Sequence, residues 1–308
     1  MKRAYTKMTY DKVLVTGGTG FVGRSLKKIR PNWIYLSSGD CDLADKDQCF
    51  EYFIKEKPDA IIHLAARTGG IKENVNNQAE FFYENIEINT NVIHQAYRAG
   101  IKRVLSALST CCFPDVVEKY PFSEEDMFAG PPAASNLSYG FSKRALYVQS
   151  NSYRKQYGLN YSCFSPCNLY GPDNNFDFEE SHFMSSMIRK FYEAKDGDTL
   201  EFWGSGAPLR QHMYVDDLSR IICLLLDKHN SSIPIIVSLG ENMSIKRTIE
   251  MCSRVIGKDV DVVFNDELDG QYRKDGDNRR LLELVGNYKF TSLEQGIRKT
   301  YEWYEQNH

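Results

Sequence analysis

The feature that most constrains the fold is a glycine-rich turn near the start of the chain. Residues 13–23 read VLVTGGTGFVG, so an apolar run leads into three spaced glycines and then a helical pattern. Such glycines allow a tight strand-to-helix turn and close approach of a pyrophosphate to backbone amides, and the helix N-terminus favours the phosphate charge. The sequence therefore predicts a dinucleotide site. The residues expected to line it are Gly17, Gly20, Phe21, Val22 and Gly23.

The first half of the chain alternates short apolar runs with longer amphipathic stretches, which is typical of parallel strands joined by crossover helices. The predicted strands are Val13 to Thr16, Trp33 to Leu36, Ala60 to Leu64, Arg103 to Leu108 and Tyr161 to Pro166. The predicted helices are Phe21 to Ile29, Asp45 to Lys55 and Phe81 to Ala99, and a loop over Pro121 to Ser138 precedes a helix that carries Tyr139. We expect an α/β fold, a Rossmann-type doubly wound parallel sheet.

The regular alternation weakens after Gly171, which suggests a second, smaller lobe. We expect residues 1–170 to form the cofactor domain and residues 171–308 to form mainly a C-terminal α/β substrate lobe. A strand at Ile233 to Ser238, between two helical patterns, suggests that the segment at about 211–240 returns to the first domain. The two helical patterns are Val215 to Asp227 and Ser244 to Ile256.

Composition excludes several classes of function. A chain of 308 residues with 42% hydrophobic residues can bury a large core, and its net charge of −3, with both signs interspersed, provides no basic face for nucleic acid. Apolar runs such as Ile221 to Leu226 are far shorter than the roughly 20 residues of a membrane span. Eight scattered cysteines favour reduced thiols and a cytoplasmic location, and there is no metal-binding spacing.

Three residues form a candidate proton-handling group. Tyr139 and Lys143 are four positions apart, which places them on one face of a helix, and Ser109 follows the fourth predicted strand. An ammonium beside a phenol is expected to lower the pKa of the phenol. Tyr139 would then donate a proton to a carbonyl as hydride arrives.

The end of the second predicted strand bears on cofactor choice. Residues 36–39 read LSSG, with hydroxyls at Ser37 and Ser38 and no carboxylate to select a ribose 2′-OH, so the sequence favours NADP. No arginine lies there to bind a 2′-phosphate, so strict selectivity over NAD stays open. Further cofactor contacts are expected from Asp42, Leu43, Leu64, Ala65 and Ala66. Asn85, Asn89 and Asn91 are assigned no catalytic role.

These motifs resemble the short-chain dehydrogenase/reductase superfamily, in its extended branch that acts on nucleotide sugars. Residues 108–114 (LSTCCFP), 138–143 (SYGFSK), 166–176 (PCNLYGPDNNF) and 202–210 (FWGSGAPLR) are similar to the GDP-L-fucose synthase family, and the resemblance runs from about Val13 to the last helix. It implies a homodimer that epimerises C3 and C5 of GDP-4-keto-6-deoxy-D-mannose and then reduces C4 with NADPH, without a metal.

The resemblance also implies residue roles. Cys111 would be the base and His182 the acid in epimerisation, while Ser109 and Tyr139 bind the C4 oxygen. A thiolate near neutral pH needs a cationic imidazole or another nearby positive charge. The remaining contacts implied for the sugar nucleotide are Asn168, which also lies by the cofactor, Arg189, Lys190, Trp203, Arg210 and Arg280. Arg189 and Lys190 fall where the family pattern needs one cation.

The chain departs from the family at Thr19 and at Ser37 and Ser38, where some members carry arginines for the 2′-phosphate. Three alternatives stay open: another NADP-dependent nucleotide-sugar epimerase or reductase, a 4,6-dehydratase, and a non-catalytic NADP-sensing protein. A dehydratase would carry a threonine and a glutamate for elimination where this chain has Thr110 and two cysteines. A non-catalytic NADP-sensing protein would need none of Ser109, Tyr139 and Lys143.

Overall fold

The computed structural model describes residues 9–178, 181–265 and 269–308. The strands are β1 Val13–Thr16, β2 Ile34–Leu36, β3 Ala60–His63, β4 Arg103–Ala107, β5 Asn160–Pro166, β6 Asn168–Tyr170, β7 Thr199–Phe202, β8 Leu209–Arg210, β9 His212–Tyr214, β10 Ile235–Val237, β11 Met243–Ser244 and β12 Asp261–Phe264. The helices are α1 Phe21–Ile29, α2 Lys46–Glu56, α3 Ile71–Asn76, α4 Gln78–Arg98, α5 Leu137–Tyr157, α6 Phe183–Glu193, α7 Val215–Lys228, α8 Ile245–Ile256, α9 Arg279–Val285 and α10 Leu293–Asn307.

Six strands form one parallel sheet in the order β10-β5-β4-β3-β1-β2. This confirms the predicted Rossmann-type sheet. The chain moves outward from β1 in one direction to β2 and in the other through β3, β4 and β5. Ligands of such sheets bind at the carboxyl ends of the strands, in the crevice where the strand order reverses. In this chain that crevice lies between β1 and β3.

Helices cover both faces of the sheet because successive strand residues point to opposite sides. Leu14 of β1 packs into a core with α2, α4 and α5, whereas its neighbours Val13 and Val15 pack into a core with α1 and α7. The strands are therefore buried on both faces, which explains the consecutive apolar residues of β1 and β3.

The helix boundaries differ from the prediction by more than one residue at two places. The predicted helix from Phe81 is preceded by α3, and α4 itself begins at Gln78. The predicted loop from Pro121 to Ser138 contains two 3₁₀ turns, Glu124–Phe128 and Ala134–Asn136, and α5 begins at Leu137. A capping box at Ser123, in which the side chains of Ser123 and Asp126 cap the turn, stabilises the first of them.

The later part of the chain builds a second core. Three two-stranded sheets pair β6 with β9, β7 with β12 and β8 with β11. Helices α6, α8 and α10 pack together over side chains such as Met187, Phe191 and Tyr304. In contrast, β10 pairs with β5 in the main sheet and α7 packs against α1. None of the helices in the described residues has the length and apolar character needed to cross a membrane.

Three buried histidines make stability sensitive to acid. Burial lowers the pKa of His63 and His212 to about 3 and that of His229 to about 4. These side chains stay neutral in the folded protein, whereas in the unfolded chain they take up protons below about pH 6.5. We expect each to remove about 1.4 kcal/mol of unfolding free energy between pH 7.5 and pH 5.5.

Urea unfolding at the two pH values tests this with His229→Gln, because glutamine can still donate to the Cys163 carbonyl, which lies 3.1 Å from His229 Nε2. Between pH 7.5 and pH 5.5, the variant should lose about 1.4 kcal/mol less unfolding free energy than the original chain. Equal losses would contradict the assignment.

Candidate active site

The glycine turn lies at the crevice between β1 and β3. Gly17 has φ 67°, and a Cβ on it would lie 2.9 Å from the backbone nitrogen of Ala65, so only glycine fits. A Cβ on Gly23 would lie 2.5 Å from the Gly17 carbonyl oxygen. Gly20 is the N-cap of α1 and adds no side chain above the helix N-terminus, where Phe21 and Val22 follow. These features fit a dinucleotide pyrophosphate.

The loop after β2 contains a carboxylate that the sequence argument did not consider. The backbone N–H and the hydroxyl of Ser37 both donate to the Asp40 carboxylate, over 2.9 and 2.5 Å. The hydrogen bonds from Ser37 lower the pKa of Asp40. Ser38 is exposed beside this turn. Asp40 therefore orders the loop through Ser37.

The other predicted cofactor residues lie on anchored backbone. Asn91 donates to the carbonyl of Leu43 over 3.0 Å, and the Asp42 carboxylate accepts from the N–H of Ala44 over 2.9 Å. Leu64, Ala65 and Ala66 follow β3 and are partly exposed at the crevice. The structure thus brings the predicted loops after β1 and β3 together at one edge of the sheet.

A buried hydrogen-bond chain connects this edge to α5. The Thr16 hydroxyl accepts from the N–H groups of Leu64 and Ala65 and lies 2.8 Å from His63 Nδ1. His63 Nε2 lies 3.0 Å from Asn89 Oδ1, and Asn89 donates to the Ser142 carbonyl over 3.4 Å. Since Ser142 lies between Tyr139 and Lys143, the chain fixes the helix of the proton-handling group relative to the cofactor turn.

The structure brings Ser109, Tyr139 and Lys143 together. Ser109 follows β4, and its hydroxyl accepts from the Cys111 N–H over 3.1 Å and lies close enough to Tyr139 to favour a lower pKa of the phenol. The Lys143 ammonium lies 5.7 Å from the centroid of the Tyr139 ring and donates to the Ala107 carbonyl over 3.0 Å.

The expectation that Lys143 lowers the pKa of Tyr139 is wrong for this structure. Burial raises the pKa of Tyr139, and the thiols of Cys111 and Cys112 add to the rise. The Lys143 ammonium contacts the Ala107 carbonyl, and burial lowers its own pKa to about 8. A phenol that stays protonated at neutral pH is the correct form for donating a proton.

Cys111 lies next to this group and contacts a cation. Lys274 Nζ is 2.8 Å from the Cys111 sulfur, although 163 residues separate the two. Burial opposes ionisation, but the charge of Lys274 and hydrogen bonds from Lys274, Ser109 and Asn136 lower the pKa of the thiol. The sequence does not single out Lys274 among the cations of residues 274–280, and it gives no sign of Asn136. No local pattern reveals either contact.

His182 is the N-cap of α6 and is an exposed residue. Burial by the surrounding protein and the charge of Lys274 lower its pKa. One ammonium therefore favours the thiolate of Cys111 and makes protonated His182 a stronger acid.

The structure distinguishes the two adjacent cations of α6. Arg189 Nε donates to Glu193 over 2.8 Å, and the guanidinium lies 3.9 Å from the Phe178 ring centroid. Lys190 instead lies 4.8 Å from the ring of Phe202, on the strand that leads to Trp203. The Lys190 ammonium also donates to the Glu201 carbonyl, so Lys190 is the cation of the pair that lies against the strand leading to Trp203.

Arg210 lies near the thiol, whereas Arg280 is engaged elsewhere. Burial lowers the pKa of Arg210, and the negative charge of a Cys111 thiolate acts in the opposite direction and raises it. Arg280 forms ion pairs with Glu124, over 3.3 Å, and with Glu125. The charge of Arg280 is therefore compensated by carboxylates of the 3₁₀ turn.

Asn168 begins β6 and pairs with His212 of β9. His212 is buried, and neither ring nitrogen has a hydrogen-bond partner within residues 9–178, 181–265 and 269–308. Across those same ranges, no group of three or more His, Cys, Asp or Glu side chains is arranged to hold a metal ion.

Comparisons with known proteins agree with this geometry. The model of the "NAD dependent epimerase/dehydratase family" matches residues 13–240. A GDP-L-fucose synthase of Dictyostelium discoideum is 36% identical, with 96% of each chain covered, and that of Escherichia coli is 30% identical, with 97% of this chain and 98% of the relative covered. A GDP-L-fucose synthetase structure from Naegleria fowleri bound to NADP has TM-score 0.90 and 34% identity, covering 100% of this chain and 96% of the other.

The role of Lys274 is tested by thiol reactivity. Lys274→Met should raise the pKa of Cys111 and slow alkylation by iodoacetamide at pH 7 about tenfold, equivalent to one pKa unit. Lys274→Arg keeps the charge and should react at nearly the original rate. Cys111→Ser should abolish the alkylation and so assign it to Cys111, because the other seven cysteines are buried. An unchanged rate in Lys274→Met would remove Lys274 as the thiolate partner.

Proposed function

This chain belongs to the NAD dependent epimerase/dehydratase family and, within it, to the GDP-L-fucose synthases, and we propose that its Cys111 site performs the epimerisations and its Tyr139 site the reduction. The reaction is epimerisation at C3 and C5 and NADPH-dependent reduction at C4 of GDP-4-keto-6-deoxy-D-mannose, which gives GDP-L-fucose. The observation that carries the assignment is the contact between Lys274 and Cys111. A plain reductase has no need for an activated thiolate beside its tyrosine.

NADPH, when bound, supplies the hydride that reduces C4. The chain's own residues would hold it: the turn from Gly17 to Gly23 receives the pyrophosphate, and Ser37 and Ser38 lie where the ribose phosphate belongs. Lys143, on the same helix face as Tyr139, is placed to hold the nicotinamide ribose. Asn168 is proposed to contact both cofactor and sugar.

In epimerisation, the Cys111 thiolate removes the proton from the carbon next to the C4 ketone. Ser109 and Tyr139 donate hydrogen bonds to the ketone oxygen and stabilise the negative charge that develops there. His182 then delivers a proton to the opposite face of the same carbon, which inverts it. Because the ketone acidifies both of its neighbours, the same residues can act at C3 and at C5.

Lys274 assists both halves of this proton transfer. Its ammonium stabilises the thiolate before the proton is removed, and its repulsion of a protonated imidazole favours release of the proton from His182. After the thiolate has become a thiol, this charge is no longer compensated, which favours the return of Cys111 to the thiolate. Before the second epimerisation, Cys111 releases its proton to solvent and His182 takes up a proton from solvent, so both residues regain their starting states.

In reduction, Tyr139 delivers a proton to the C4 oxygen. Burial keeps the phenol protonated until charge develops on that oxygen, and Ser109 holds the same oxygen in place. Lys190 and Arg210 are proposed to bind the diphosphate, since a planar guanidinium and an ammonium both suit phosphate oxygens. We assign Arg189 and Arg280 no substrate contact, because Glu193, Glu124 and Glu125 engage them.

We further propose two lobes, residues 1–170 for the cofactor with about 211–240 returning to it, and the rest of 171–308 for the substrate. Support comes from β10, which pairs with β5, and from the separate core around α6, α8 and α10. The contact of Lys274 with Cys111 then joins the lobes across the substrate.

A homodimer through α4 and α5 is the proposed assembly. The two helices pack side by side and present exposed apolar side chains, namely Phe82 and Tyr83 on α4 and Phe141 and Val148 on α5. Pairing with a second copy would bury this face in a four-helix contact.

A cytoplasmic location is proposed from the cysteines. All eight, which lie within the described ranges, are free, and seven are buried. The partly exposed one is the activated Cys111, whose thiolate requires a reducing compartment to stay functional.

Solvent exchange tests the thiol mechanism. Purified protein should oxidise NADPH with GDP-4-keto-6-deoxy-D-mannose, and in D₂O the GDP-L-fucose formed should carry deuterium at C3 and C5. Cys111→Ser should lower that labelling at least a hundredfold, because a hydroxyl is a far poorer base at neutral pH. NMR of the product measures both positions.

Cys112→Ser is the matched control, since this neighbouring thiol is fully buried, and it should keep the labelling. Unchanged labelling in Cys111→Ser would remove the thiol from the mechanism. No NADPH oxidation with this substrate, together with turnover of another keto sugar, would overturn the substrate assignment.

The assembly is tested by sedimentation. The original chain should sediment as a dimer, and Val148→Asp should sediment as a monomer, because Val148 is 51% exposed on α5 and the dimer would bury a charge there. Ile54→Asp, on α2, is the control and should stay dimeric. A monomeric original chain would contradict the proposal.

A further inference from the structure

Trp203 is an exposed tryptophan on a fixed turn. Its side chain is 53% exposed at the end of β7, and the next residue, Gly204, has φ 77°. Ser205 is bound twice by Asp269, from its N–H and from its hydroxyl, over 2.7 Å each. A large aromatic surface held in water by a rigid turn is suited to stacking on a planar ligand.

Lys72 covers this aromatic surface from the opposite side of the cleft. Its ammonium lies 4.2 Å from the centroid of the Trp203 ring, within the range of a cation–π contact. Lys72 belongs to α3, which packs against the 3₁₀ turn Ala134–Asn136. Asn136 of that turn is hydrogen-bonded to the Cys111 thiol. The contact therefore connects Trp203 to the loop that carries the catalytic thiol.

We propose that Lys72 and Trp203 form a clamp for the guanine base of the sugar nucleotide, in which Lys72 is a specificity-determining residue. This inference rests on the proposed function, since it assigns part of the GDP-sugar to these residues. The base stacks on the indole, and the Lys72 ammonium moves from the ring face to the edge of the base, where it donates hydrogen bonds.

The chemistry of the base edge explains the selectivity. Guanine presents two adjacent acceptors, O6 and N7, to a donor on that edge, whereas adenine presents an amino group in place of O6. An ammonium has only donors, so it binds the guanine edge and opposes the adenine amino group. Uracil has one acceptor there and a smaller ring to stack.

Other cations are placed for the phosphates. Lys190 lies along β7 at Phe202, and Arg210 lies near Cys111. These two residues therefore serve the diphosphate and the sugar end of the cleft. Lys72 contacts the indole itself, which is where a stacked base would lie.

Calorimetric titration with GDP, ADP and UDP tests the clamp. The original chain should bind GDP more tightly than ADP or UDP. Lys72→Met, which keeps the length of the side chain but not its donors, should weaken GDP binding about tenfold and leave ADP and UDP nearly unchanged. Lys55→Met, on α2 and also exposed, is the matched control and should bind all three as the original chain does.

A second variant separates stacking from hydrogen bonding. Trp203→Ala should weaken binding of all three nucleotides, because each base stacks on the indole. An equal loss of all three in Lys72→Met would place Lys72 at the phosphates and overturn the base clamp, as would an unchanged GDP affinity. If the original chain turns over the GDP-keto sugar normally, either of these two results overturns the clamp and leaves the proposed function intact. If the original chain shows no turnover, the proposed function itself is overturned.

Discussion

At the crevice of the sheet, the turn after β1 and the backbone after β3 approach so closely that a Cβ on Gly17 would lie 2.9 Å from the Ala65 nitrogen. This contact sets the position of the dinucleotide turn, and the Thr16 hydroxyl extends it by accepting from Leu64 and Ala65. From there, His63 and Asn89 carry hydrogen bonds to α5. Since buried polar groups must be paired, any shift of the turn would break this chain at a cost of roughly 1–3 kcal/mol for each orphaned group. The hydrogen-bond chain thus fixes the cofactor turn and the helix of Tyr139 relative to each other.

The proposed proton-transfer chemistry depends on the positive charge of Lys274. A thiol in a buried site resists ionisation, and here Lys274 overcomes that resistance through a direct contact. The same charge lowers the pKa of His182. In the proposed mechanism, Cys111 as base and His182 as acid are therefore adjusted together, in directions that suit removal of a proton from one face of a carbon and delivery of another proton to the opposite face. The Tyr139 phenol, kept protonated by burial, completes the proposed site, in which three candidate proton-transfer residues have three different environments.

In the proposed function, substrate recognition uses residues from both lobes. The strands of the later part of the chain supply Trp203 and Arg210, and α6 supplies Lys190. The cofactor side supplies Ser109, Cys111 and Tyr139, to which the proposed clamp adds Lys72. An arrangement of this kind couples binding of the nucleotide to the geometry at the sugar, because α3 contacts the turn that contains Asn136.

The sequence by itself determined the parallel sheet, the cofactor turn and the Ser109, Tyr139 and Lys143 group. These are local patterns: β1 and α1 have the predicted bounds, and the spacing of Tyr139 and Lys143 defines a helix face without any distant contact. The tertiary structure alone decided which cation meets Cys111, that Lys190 and not Arg189 is directed toward β7, and that the pKa of Tyr139 rises. These outcomes depend on burial and on residues far apart in the chain, and neither desolvation nor a contact between residues 111 and 274 is encoded in any short stretch of sequence.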